Sequence, residues 1–233
     1  MDATRLDNDS LEATYAAPAA SSLRTGRVTM DDVVMRTATL FAVLVAVGAF
    51  AWGANNPALA LVGFLGGFVL AMVNIFSKKV RVPFIVGYAA AQGLALGTIS
   101  RIYNEAYSGI VGQAVIGTLC AFGGILVAYR SGKIRVTPKF TRIMLGALMG
   151  YFVFGIITLF TGFPGGQLGV LIAVAGVALA TFFLVLDFDQ IERTIAAGAP
   201  QEESWRMAFG LMVTIVWLYM EVLRLLSILR NND

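Results

Sequence analysis

The chain has 233 residues and a formal net charge of +3, with 58% of its residues hydrophobic and 13% charged. A water-soluble domain carries about 25% charged residues, so this chain cannot coat a surface that faces water. Its single cysteine excludes an internal disulfide or a cysteine-cluster metal site, and the lack of histidine excludes Ser-His and Cys-His nucleophiles and HExxH zinc sites. Proton sensing, if the chain does any, falls to its carboxylates.

Residues 1–36 are polar and carry both charge signs, without the apolar core of a signal peptide. They are expected to form a flexible cytoplasmic tail ahead of a transmembrane domain over 37–233. Thr29-Met-Asp-Asp32 resembles a capping box, which starts the first helix just before the bilayer. Seven apolar runs follow, at about 37–53, 57–76, 83–100, 109–129, 143–161, 168–187 and 207–229, each close to the ~20 residues that cross a bilayer as a helix. The expected fold is all-α, an integral membrane bundle of seven helices. Gly93 with Gly97, Gly146 with Gly150, and Gly176 with Ala180 are small-xxx-small pairs that let helices approach closely.

Arg5, Arg24, Arg27 and Arg36 precede the first span. Lys78, Lys79 and Arg81 lie between spans two and three, five basic residues from Arg130 to Arg142 between four and five, and Arg193 and Arg206 between six and seven. Only Arg101, Arg224 and Arg230 fall elsewhere, a split of 14 to 3. This puts the N-terminus in the cytoplasm and the C-terminus on the opposite side, as in a bacterial inner membrane. Topology, rather than nucleic acid, then accounts for the basic balance.

The sixth run ends in FFLVLDFDQIER, residues 182–193. Asp187 and Asp189 are two residues apart and point about 200° from each other on a helix. Asp187 continues the small-residue stripe through Gly176 and Ala180, whereas Asp189 aligns with Glu192 and Arg193 as on a solvated helix end. In the seventh run, Glu221 lies well inside the bilayer and must face the bundle with a partner. Gly210, Thr214, Trp217, Glu221 and Arg224 share one face. Two arrangements satisfy Glu221: a local pair with Arg224, or a meeting with Asp187 across the bundle that leaves Arg224 as a movable counter-charge. Meeting Asp187 requires helix seven to start outside the bilayer, or a tilt, because Glu221 lies further from the connecting turn.

With LDFDQI closing span six, LYMEVLRLL in span seven and AAAQGLALGTISRIYNEAYSG at 89–109, the chain resembles the Bax inhibitor-1 family over roughly residues 37–230. The resemblance implies six helices around a central seventh. It also implies two acids from spans six and seven that share a proton and control a calcium leak. By motif these are Asp187 and Glu221, with Arg224 and Asp189 as gating or counter-charge positions. Glu221 stands where the family pattern has Asp, and span two has no acid, its nearest polar residue being Asn74.

The leading expectation is a pH-sensitive cation leak, with Ca²⁺ as the transported ion and a weak site at Asp187 and Glu221. No cofactor and no nucleic acid is expected; the expected partners are the bilayer and cations, with a membrane-protein partner of unknown identity left open. The other expectation is a regulator that transports nothing and acts on a membrane protease or stress pathway, with the basic loop RSGKIRVTPKFTR as its candidate surface. No enzyme is expected: the chain has no GxSxG elbow and no Gly-x-Gly-Asp motif. The basic split yields a direct test. A reporter fused after Asp233 should read outside the cytoplasm and one inserted within 131–138 inside; cytoplasmic readings at both would exclude seven crossings.

Overall fold

The computed structural model describes residues 26–132 and 134–231. Seven helices follow one another: α1 Met30–Ala54, α2 Ala58–Phe76, α3 Val82–Ala106, α4 Ile110–Arg130, α5 Pro138–Thr161, α6 Gly166–Ala196 and α7 Glu203–Asn231. All seven are long and apolar enough to cross a membrane. Large apolar side chains such as Phe64, Phe68, Phe152 and Phe160 are exposed on α2 and α5, a surface suited to lipid.

Five of the expected spans fall inside a helix and two begin one residue ahead of theirs, at the N-caps Pro57 and Gly109, while several helices run beyond their apolar stretch. An apolar run marks the thickness of hydrocarbon, whereas a helix continues until its backbone is capped. Thr29 is the N-cap of α1, and its side chain and that of Asp32 close the capping box reciprocally. Thr137 caps α5 in the same way, accepting from the Phe140 N–H at 3.1 Å with Pro138 as the first helical residue.

Residues 1–25, most of the expected tail, lie outside the described residues. Residues 26–36, counted with that tail in the sequence reading, are structured. The Val28 N–H donates to the Ala199 carbonyl at 2.9 Å and the Gln201 N–H to that of Gly26 at 2.7 Å, around an antiparallel bridge between Arg27 and Pro200. Arg36 adds a bond to the Gln201 carbonyl at 3.1 Å, contacts Ser204, and lies over the Trp205 ring. The entry to α1 is thus fastened to the turn between α6 and α7.

Two apolar clusters form the interior. One joins α4, α6 and α7 around Leu184, Leu218 and Leu223, and the other joins α1, α3 and α7 around Leu40, Met212 and Phe209. Of the seven spans, α7 buries the largest share and α5 the smallest. Helix α2 packs on α3, and α5 on α6.

The glycine pairs divide. Gly93 and Gly97 sit against α1, where a Cβ on Gly93 would stand 2.6 Å from the Leu44 carbonyl oxygen and one on Gly97 would overlap the Gly48 backbone. Gly146 and Gly150 have nothing within 4 Å, so this pair makes no helix contact among the described residues. Gly97→Ala should therefore destabilise the bundle by about 1–3 kcal/mol, the usual cost of overpacking. Gly146→Ala should stay within about 0.5 kcal/mol of the parent. Unfolding in detergent micelles measures both, and equal effects would refute the assignment of α1–α3 as the close contact.

Candidate functional site

The interior carboxylate of α7 is fully engaged. Glu221 is 5% exposed. Its Oε1 accepts from Trp217 Nε1 at 3.0 Å, one helical turn earlier. Its Oε2 accepts from the Tyr151 hydroxyl of α5 at 2.7 Å and from the Arg224 guanidinium, which forms its ion pair. Arg224 also donates to the Tyr151 hydroxyl, and its guanidinium lies 4.5 Å from the centre of the Phe163 ring. The local-pair arrangement of Glu221 and Arg224 is the one adopted, extended by a tyrosine from another helix.

Gly176 makes room for this cluster. A Cβ there would collide with the Glu221 carboxylate and the Tyr151 hydroxyl. The Gly176–Ala180 pair thus admits a polar group as well as lining a helix contact, while Ala180 is fully buried in the apolar cluster with α7.

Asp187 is elsewhere. It faces Thr214 of α7, and its Oδ2 is buried without a hydrogen-bond partner among the described residues. The Thr214 hydroxyl itself donates to the Gly210 carbonyl at 3.3 Å. Glu221 lies seven residues beyond Thr214, about 10 Å further along the helix axis at 1.5 Å per residue. The meeting of Asp187 with Glu221 across the bundle is therefore absent from this structure. The reason is axial. Asp187 is nine residues before the end of α6 and Thr214 eleven residues into α7, so those two are level and Glu221 is too deep.

The boundary residues behave as their spacing suggests. Asp189 forms an ion pair with Arg193 at 2.6 Å, and Glu192 accepts from the Tyr129 hydroxyl of α4 at 2.8 Å. Among the described residues, none of Lys78, Lys79 and Arg81 forms an ion pair with either interior acid; the carbonyls of Ser77 and Lys78 instead receive Arg206. Asn74 has a buried amide nitrogen without a partner.

Three participants were missed by the sequence reading. Tyr151 was the one tyrosine in an otherwise apolar fifth span, which is a signal of a kind. Phe163 carried none. Thr214 was placed on the correct face of α7 but not assigned to Asp187. The described residues contain no group of three acidic or cysteine side chains able to hold a metal ion. Asp187 and Thr214 would offer Ca²⁺, which takes six to eight oxygens, only a small part of its shell.

Fold and cluster together define a seven-helix integral membrane protein with charged groups held inside its bundle. The chain belongs to the Bax inhibitor 1 like family, whose model matches residues 5–231, nearly its whole length. No curated protein is similar enough to the chain to give a match.

Removing one partner of a buried ion pair strands the other, so Glu221→Ala should cost about 3 kcal/mol. Tyr151→Phe should cost about 1 kcal/mol, the worth of one hydrogen bond. Glu221→Gln combined with Arg224→Gln should recover part of the Glu221→Ala loss. A double-mutant cycle read by denaturation in micelles measures the coupling, and zero coupling would mean the pair is incidental.

Proposed function

We propose that the protein is a pH-sensitive cation leak, with Ca²⁺ as the ion, in which Asp187 is the titrating group. One observation carries the reading: a buried carboxylate on α6, facing α7, with an oxygen that no donor satisfies among the described residues. A buried charge is stable only when paired, hydrogen-bonded or neutralised. A proton or a passing cation can neutralise Asp187, and either changes the interaction between the two helices at its level. Glu221 is already satisfied by Tyr151, Trp217 and Arg224, so its part is to hold α7 as the central helix of the working bundle. Arg224 stays with it, and Asp189 stays with Arg193 at the boundary.

In this reading the end bearing Arg36, Arg206 and the α6–α7 turn faces the cytoplasm of a bacterial cell. A proton acting through Asp187 comes from that side. Conduction, not catalysis, is the activity, and the ion binds too few oxygens to remain.

Ion flux into liposomes tests the reading. The parent should leak at a rate that varies with pH, because a buried carboxylate lacking a donor is neutralised by a proton. Asp187→Asn should abolish that variation and Asp189→Asn leave it intact. Glu221→Gln should lower the yield of folded protein more than it changes the pH response. A pH response unaltered in Asp187→Asn would remove Asp187 from the mechanism. A parent that passes no ions would leave a membrane regulator that transports nothing as the reading to pursue.

A further inference from the structure

Helices α1 and α4 both pack on α7 but scarcely on each other. Between them runs a lateral groove in two continuous halves, of about 590 and 600 Å³, that share Phe41, Thr118, Leu119 and Ile215. The second half is walled by α1 and α4 and floored by Phe188, Ile191 and Leu211 of α6 and α7. From Arg130 at its mouth to Thr118 at its inner end is twelve residues of α4, about 18 Å. That depth slightly exceeds half of a ~30 Å hydrocarbon core, the reach of an acyl chain from one leaflet.

Charge selects the occupant. The mouth holds one cation and one anion, the exposed Arg130 of α4 and Glu192 of α6. Arg130 forms no ion pair among the described residues. Glu192 uses one carboxylate oxygen to accept from Tyr129, which leaves the other open to a donor. Asp189 and Arg193 nearby satisfy each other. An apolar trough with an arginine and a glutamate at its entrance is complementary to a zwitterionic phospholipid.

We propose that this half-groove binds a phospholipid of the ethanolamine class. Its phosphate pairs with Arg130, its primary ammonium donates to Glu192, and one acyl chain lies between Phe41 and Phe122. A choline head has no N–H to donate to Glu192. A glycerol head carries net negative charge towards that carboxylate. The lipid wedges α1 and α4 apart while both remain on α7. This inference is independent of any ion leak.

Native mass spectrometry of the full-length protein, purified in mild detergent and incubated with ethanolamine, choline and glycerol phospholipids of identical chains, tests it. The ethanolamine lipid should be retained about tenfold over the other two, the worth of one charge-assisted hydrogen bond. Arg130→Ala should weaken retention of all three, and Arg130→Lys should restore it in part. Glu192→Gln should remove the preference without removing binding. Leu119→Trp, which fills the trough, should release lipid altogether. If that variant fails to fold, the Glu192→Gln result decides alone. Equal retention of the three heads by the parent, or unchanged selectivity in Glu192→Gln, would overturn the assignment.

Discussion

An ionised group inside hydrocarbon must find its compensation within the protein, and in this bundle that requirement is met at Glu221. The carboxylate takes one donor from the turn before it, one cation from the turn after it, and one hydroxyl from α5. The first two are contacts within α7. The third is the one with tertiary consequences, because α5 otherwise packs on α6, and the Tyr151 bond carries it across to α7. Gly176 completes the arrangement by having no side chain where the carboxylate and the phenol meet. Buried ion pairs add little net stability compared with apolar packing, but they are costly to break, so they specify which helix lies where.

The two interior acids therefore have different fates on one pair of helices. Glu221 accepts from Trp217, Tyr151 and Arg224, and Asp187 faces a threonine. Separating them by about seven residues of α7, some 10 Å, removes the like-charge repulsion that a close dyad would create. It also leaves Asp187 outside the ion pair and the Tyr151 bond that fasten α5.

Much of this architecture was legible in the amino-acid order. Crossing a bilayer imposes a length and an apolarity that few other constraints imitate, which is why all seven helices were found. The Glu221–Arg224 pair was also legible, because three residues on a helix bring two side chains together whatever the tertiary fold. Asp189 and Arg193, four residues apart, were read on the same ground. Helical periodicity, however, reports the face on which a residue lies and not the level at which it meets its neighbour. Level depends on where α7 begins and how the turn is built, and so Asp187 came to lie opposite Thr214 rather than Glu221. Tyr151 is 70 residues from its partner, and standing as the one tyrosine of the fifth span does not say which residue it meets. The same limit applies to glycine: Gly93 and Gly146 begin identical small-residue spacings in opposite surroundings, and only the fold tells them apart.

The length of α6 has a consequence for access. Its 31 residues extend about 46 Å, against a hydrocarbon core of about 30 Å. A helix that long must tilt or protrude, and the surplus belongs at the end bearing Asp189, Glu192 and Arg193, because the opposite end is apolar almost to its first residue. Asp187 is nine residues from the protruding end, about 14 Å, which brings it to within roughly a turn of the headgroups on that face and leaves the whole membrane between it and the other. The carboxylate thus lies a short way along the helix from one face of the membrane and nearly the full thickness from the other, an asymmetry of depth that α6 imposes by its length alone.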